Sequence, residues 1–224
     1  MEIRARIDAD PELSELCKRI EPRLADDPGH DLTHALRVGR WTLALDPKLE
    51  PRAALAAALL HDVVNLPKNH PDRAKASEQS AQLAREWLVE LNFAPEEVEL
   101  IAHAIEDHSF SRGATPRSAL GRALQDADRL EALGAIGIIR TFVTGVRLGG
   151  APFDAADPFA TARALDDRAF SVDHFFVKLL GLADTMQTEA GRVEARRRSE
   201  YMRDFLEQLS LELGAESPRV AGPD

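Results

Sequence analysis

ALLHDVVNLPK, residues 58–68, carries an aliphatic run straight into two polar side chains, His61 and Asp62. A carboxylate at the end of an apolar helix face is costly unless something pairs with it. The junction therefore asks for a cation or a strong hydrogen-bonding partner. Pro67 cannot donate a helical hydrogen bond, so a helix that begins near Pro51 ends before it, with His61 and Asp62 in its last turns. Adjacent side chains diverge by about 100° on a helix. Both can face one ion only if it lies over the edge between them.

Outward from this stretch the apolar residues recur at three- and four-residue intervals, Ala and Leu are abundant, and alternating Val/Ile/Tyr runs are absent, which predicts an all-α fold. Proline and acid punctuation places helices over about 10–24, 31–45, from 51 to before 67, 74–91, 95–107 and 118–133. GAIGIIRTFVTGVRLGG (134–150) is apolar and glycine-punctuated and reads as a buried helix. Residues 151–169 mix prolines with acids and read as a loop or short helix over the surface, suited to act as a lid. Two closing helices follow over about 172–182 and 185–213, the second with Val193, Met202, Phe205, Leu206 and Leu209 on one side.

At 224 residues, with no low-complexity linker inside, the chain suits one domain over 1–224, with its core at about 20–210 and a frayed tail from about 215. A net charge of -10 argues against sequence-independent binding to duplex nucleic acid, because neutralising phosphates needs a basic face. A small anionic substrate stays open if cations are concentrated locally. Cys17 is the only cysteine, so an intramolecular disulfide is excluded and a reducing compartment is expected. The N-terminal stretch has acids where a signal peptide needs an apolar region, and no run approaches the ~18 apolar residues of a membrane span. The expectation is a cytoplasmic protein without a membrane partner.

Most of the seven histidines lie beside acids in helical segments: HDLTHALRV (30–38), LLHDVV (59–64), IAHAIEDHSFS (101–111), with LQDADRL (124–130) adding two more acids. One ion needs ligands from more than one helix to be held rigidly, and His34 with an Asp of the 126–128 cluster would complete the His61 and Asp62 pair. Such a mixed N/O set suits Mn, Fe, Co, Ni or Zn and leaves positions for water. Any one of these residues alone reads as a cap or surface group. Their coincidence reads as a site.

HALRV at 34–38, ALLHD at 58–62 and DADRL at 126–130 resemble the ordered H…HD…D signature of the HD superfamily, whose members are helical, metal-dependent phosphohydrolases. HDLTHALRV, LLHDVVNLPK, EDHSFS, LQDADRLEALGAIGIIRTF and DHFFVKLL make the chain similar to the small stand-alone HD hydrolases of bacteria over roughly residues 20–210. The resemblance implies a compact HD-domain fold, with His34, His61, Asp62 and Asp128 as ligands of a divalent metal, Mg being admissible beside the transition metals. Asp128 is preferred to Asp126 because the family's last Asp precedes a basic residue and Leu; Asp126 is then a supporting or capping group. Several HD branches carry an acid three positions after the HD Asp. Here that position is Asn65, which can orient a water or phosphate but cannot take its proton.

His108 is the candidate for that proton, since imidazole titrates near neutrality. His103 reads equally as a packed residue or as part of a second metal site, and His70 as a capping or surface residue. No Gly-Tyr-Pro string is present, which speaks against the cyclic-dinucleotide branch. Candidate phosphate contacts are Arg37, on the His34 helix face, and Lys68, directly after the HD helix. Arg129, Arg140, His174 and Lys178 follow as weaker candidates. The reading is hydrolysis, by metal-bound water, of a nucleotide phosphoanhydride, best a nucleoside triphosphate. Its alternatives are a phosphomonoesterase or phosphodiesterase of the same fold, a non-catalytic nucleotide-sensing HD module, and an HD-type oxygenase whose two irons would recruit both His103 and His108. The oligomeric state is open.

Overall fold

The computed structural model describes residues 3–24, 31–66, 72, 75–109 and 113–215. These residues form ten α-helices and one 3₁₀ helix with no strand, so the fold is all-α. An isolated parallel bridge joins Ala151 to Phe170. No helix of the described residues is long and apolar enough to cross a membrane. The chain divides into two compact units, Met1–Asp128 and Arg129–Asp224.

In the first unit lie α1 (Ile3–Asp8), α2 (Pro11–Leu24), α3 (Leu32–Leu45), α4 (Pro51–Leu60), α5 (Ala76–Glu90), α6 (Pro95–Asp107) and most of α7 (Ala119–Leu130). Local chemistry sets many of these starts. The Asp10 carboxylate accepts from the amides of Glu12 and Leu13, Asp31 from that of His34 and Glu50 from that of Ala53, which satisfies donors that a helix start leaves open. Pro51 and Pro95 each open a helix, where their missing N–H costs nothing. α1, ahead of the Asp10 cap, was not foreseen from the sequence.

α4 is the centre of this unit. All residues from Ala53 to Leu60 are buried, and the helix packs on α2, α3 and α6. A helix apolar on every side belongs in a core, and its small alanines let neighbours come close. A Cβ on Gly39 of α3 would stand 3.0 Å from Leu55 Cδ2 and 3.4 Å from Ala58 Cβ.

The end of α4 corrects the expectation of a helix running to Pro67. Regular helix stops at Leu60, with a tight turn closed by the Val63 amide on the Leu60 carbonyl. The next amide, Val64, donates to Ser80 Oγ of α5 at 3.1 Å. A partner from another helix thus replaces the intrahelical bond, which no local pattern could announce.

The second unit contains α8 (Gly134–Arg147), α9 (Ser171–Val177), the 3₁₀ helix Leu179–Thr185 and α10 (Glu189–Leu213). α10 packs on α8 and on the 3₁₀ helix, and Phe142, Phe175 and Phe205 meet with ring centroids 6.0 Å apart. Three expectations are corrected here. α8 is not buried throughout: Ile139, Val143 and Val146, spaced by four and three residues, are exposed on one face. The helix expected over 172–182 breaks at Lys178 (φ -136°) into the 3₁₀ turn, where Gly181 weakens helical continuation. Val193 is exposed while Met202 and Leu206 are buried, because nine residues amount to about two and a half turns and place it on the opposite side.

Residues 151–169 form no helix. The Asp157 carboxylate gathers the amides of Thr161, Ala162 and Arg163 together with the Thr161 hydroxyl. Arg163 makes a bidentate pair with fully buried Asp173 of α9, at 2.6 and 2.8 Å. The segment is thus anchored to the helix that follows it.

The tight α3–α4 contact yields a first prediction. Gly39→Leu forces a branched side chain against Leu55 and Ala58, and overpacking of this kind costs about 1–3 kcal/mol. Denaturant unfolding should show that loss. An unchanged midpoint would mean that α3 does not depend on this close approach.

Candidate metal centre

Four helix ends bring the polar residues of the first unit together. The Asp31 cap places His34 in the first turn of α3, and Asp31 is tied further by the Thr33 hydroxyl at 2.7 Å. Burial pushes the Asp31 carboxyl up, but the bonds from Thr33 and the His34 amide outweigh it and hold the group below its usual range. His61 is the residue at which α4 ends, and His108 the one at which α6 ends. Asp128 comes from the last turn of α7.

His61 and His108 are oriented by the same device. His61 Nδ1 donates to the Ala58 carbonyl at 2.8 Å and His108 Nδ1 to the Ile105 carbonyl at 2.6 Å. A carbonyl only accepts, so Nδ1 carries the proton, and in the neutral ring Nε2 is left with its lone pair. His34 Nε2 lies 3.3 Å from His61 Nε2, and Asp128 Oδ1 lies 3.5 Å from the first and 3.9 Å from the second. Asp62 Oδ2 is 3.6 Å from His61 Nε2, and Asp62 Oδ1 is 3.5 Å from His108 Nε2.

These separations test the fit of a cation. Donors about 2.1 Å from one ion stand roughly 3.0 Å apart at an octahedral right angle and roughly 3.4 Å apart in a tetrahedron. The observed edges of 3.3 to 3.9 Å are close to these lengths. Two groups could each hold an ion: His34, His61 and Asp128, and His61, Asp62 and His108. They share His61. Both His34 and His61 are 1% exposed, whereas the Asp128 side chain is 28% exposed and gives the cluster its access to solvent.

Protonation favours ligation. Burial pushes His61 down to about 4, only partly offset by the charges of Asp62 and Asp128, so the ring is neutral at pH 7. For Asp128, burial raises the carboxyl, but electrostatic interaction with the His61 and His34 rings outweighs it and holds the group below its usual range. His108 goes the other way. Burial opposes its protonation, yet the Asp62 hydrogen bond and the charges of Asp62 and Asp128 prevail and raise it.

The His61–Asp62 pair does not work as an edge of a continuous helix, as adjacency had suggested. α4 ends between Leu60 and Asp62, and the turn presents both side chains to the cluster. Asn65 is half-buried in the stretch after this turn. Arg37 is one helical turn beyond His34 on α3, with Nη1 donating to Thr33 Oγ1 at 3.1 Å. Lys68 and His70 lie outside the described residues. The remaining candidates fall in the second unit. There Arg129 Nη1 donates to the Thr185 carbonyl, Arg140 lies 3.9 Å from buried Glu131, His174 Nδ1 is 2.8 Å from Asp167 Oδ2, and Lys178 ends α9. His103 is 3.6 Å from Glu99 and belongs to neither cluster of the described residues, so its placement lends nothing to a two-iron oxygenase.

The sequence reading passed over Asp107, Arg117 and Gln125. Arg117 is ten residues after Asp107 and Gln125 eighteen, yet both bond to it. The three residues lie on separate elements, so no local spacing in the sequence could have paired them.

Several known proteins are similar to this chain. A family model described as the HD domain matches residues 31–133. Bacillus subtilis YpgQ is 32% identical over 195 residues, covering 84% of this chain and 86% of that protein. A crystal structure of YpgQ in complex with ADP superposes with a TM-score of 0.69 at 27% identity, covering 95% of this chain and 97% of that one. An HD-superfamily hydrolase from Bacillus thuringiensis gives 0.68 at 33% identity, over 96% of this chain and all of its own (100%). A matched HD model that contains all the clustered residues, together with relatives alike over nearly their whole length, shows that this chain belongs to the HD superfamily of hydrolases.

Proposed function

We propose that this chain is a metal-dependent phosphohydrolase of nucleotides and that it cuts a phosphoanhydride bond of a nucleoside triphosphate. The observation that carries the reading is the cluster in which His34, His61 and Asp128 stand 3.3 to 3.9 Å apart, with Asp62 3.6 Å from His61. A divalent cation held by these four residues would polarise a phosphoryl oxygen and acidify a water at neutral pH. Mn, Fe, Co, Ni and Zn all suit the mixed nitrogen and oxygen set. The nucleotide part draws support from the ADP complex of YpgQ.

The chain's own residues divide the remaining work. His61 binds through Nε2 because Ala58 holds its other nitrogen. Asp62 reaches His61 with one oxygen and His108 with the other, so His108 Nε2 stands beside the cation site. In this reading His108 moves the proton during phosphoryl transfer, a step for which Asn65 has no basic group. Arg37 supplies positive charge to the polyphosphate from the helix that carries His34.

A screen of purified protein against nucleoside triphosphates, monoesters and a generic phosphodiester, with several divalent metals, tests the function. Triphosphate turnover that disappears on chelation and returns with Mn(II) is the expected result. Cleavage of monoesters or the diester alone moves the reading to an esterase, and nucleotide binding without turnover makes the chain a sensor. Asp62→Ala should abolish tight metal binding and activity while helical content by circular dichroism stays near wild type; full occupancy by elemental analysis in that variant would sink the ligand assignment. Arg37→Ala should reduce triphosphate use more than use of the small diester, with the metal retained. Equal losses on both substrates would remove Arg37 from polyphosphate recognition.

A further inference from the structure

α6 ends at His108, and what fixes that end is a brace outside the metal cluster. Asp107 is 3% exposed, and Arg117 gives its carboxylate three bonds: the backbone amide at 3.2 Å, Nε at 2.8 Å and Nη2 at 2.7 Å. Gln125, fully buried on α7, donates through Nε2 to the Asp107 carbonyl at 2.9 Å and to the Ala114 carbonyl at 3.2 Å. Gln125 stands three residues before Asp128, so the two share a face of α7. The brace therefore links the peptide that leads into His108 with the helix that delivers Asp128.

The buried His108 ring also packs edge-on against His61, with centroids 5.0 Å apart, and makes two polar contacts. Its Nδ1 bond goes to Ile105 of the same helix end, and its Nε2 stands 3.5 Å from Asp62. The first fixes the ring relative to α6 only. Asp107, Arg117 and Gln125 tie the end of α6 to α7 and to the segment that precedes it. The carboxylate of Asp107 is shielded from water, so losing the guanidinium leaves it without its charged partner and favours a rearranged chain end.

We propose that Asp107, Arg117 and Gln125 are positioning residues that hold His108 in register with Asp62 and Asp128. The proposal rests on the metal-dependent hydrolase reading for its kinetic consequence. A misplacement on the order of 1 Å at a proton-transfer group lowers turnover by up to ~100-fold without touching the contacts that bind substrate.

Arg117 is the residue to change, because its side chain is 49% exposed and its removal opens no core cavity. With Mn(II) and a nucleoside triphosphate, Arg117→Ala should lower kcat about tenfold or more, while KM and the Mn(II) affinity stay within about twofold. Arg117→Lys, which keeps the charge and one donor, should recover part of the loss. In a His108→Ala background the same Arg117→Ala change should cost nothing further, since two residues acting on one step are not additive. Losses that multiply in the double variant, or a change confined to KM, would overturn the proposal.

A second readout separates this inference from the function on which it rests. In full-length Zn(II)-loaded protein with 13C-labelled histidine, the His108 ring should give one sharp resonance that shifts, broadens or splits in Arg117→Ala. If wild-type protein turns over no nucleotide, the hydrolase reading fails and this resonance alone decides the brace. An unchanged His108 signal in the variant would refute it.

Discussion

The His34 and His61 Nε2 atoms face each other at 3.3 Å with almost no access to water, and much of the first unit serves to keep them there. Two imidazole nitrogens at that distance either share one proton or face one cation. Burial lowers His61 to about 4 and keeps it neutral, so its Nε2 lone pair can accept a proton from His34 Nε2 or face a cation. Ionised Asp128 stands beside both rings. A divalent cation resolves the arrangement in one stroke, since it takes the lone pairs and neutralises the carboxylates.

The ends of α4 and α6 solve two problems with one residue each. The last carbonyls of a helix have no intrahelical partner. At Leu60 and Asp107 the next residue is a histidine whose Nδ1 returns to the carbonyl three positions back. This bond satisfies a carbonyl and also fixes the tautomer that leaves Nε2 toward the cluster. Both helices present their C-terminal, partially negative ends to the same place, with the His61 and His108 ring centroids 5.0 Å apart. That field favours a cation and adds to the charge of Asp62 and Asp128.

What could be read in the sequence was what local chemistry determines. Asp31, Glu50, Pro51 and Pro95 act within one turn of themselves, so the starts of α3, α4 and α6 follow from spacing alone. His34, His61, Asp62 and Asp128 were grouped because four rare placements coincided, and the fold sets His34, His61 and Asp128 in one group and His61, Asp62 and His108 in another. The end of α4 was out of reach, because Ser80 is sixteen residues from the Val64 amide it satisfies. The exposure of Ile139, Val143 and Val146 was equally hidden, since periodicity marks an apolar face without saying whether another helix covers it. Arg129 has a partner that spacing does not announce. Its place next to Asp128 suggested a phosphate contact, yet its guanidinium reaches the Thr185 carbonyl.

Charge decides how metal and substrate must relate if the proposed function holds. The protein carries -10 and the cluster contributes the carboxylates of Asp62 and Asp128, while a nucleoside triphosphate is itself strongly anionic. Long-range attraction is absent, and the C-terminal ends of α4 and α6 add repulsion at short range. Without a cation the pocket therefore rejects the molecule it is proposed to cleave. With a divalent ion in place the two carboxylates are balanced, and Arg37 tips the local sign to positive. Metal occupancy then controls substrate binding as well as chemistry. Loss of one ligand should raise the apparent nucleotide dissociation constant along with abolishing turnover, which a purely chemical role for the ion would not require.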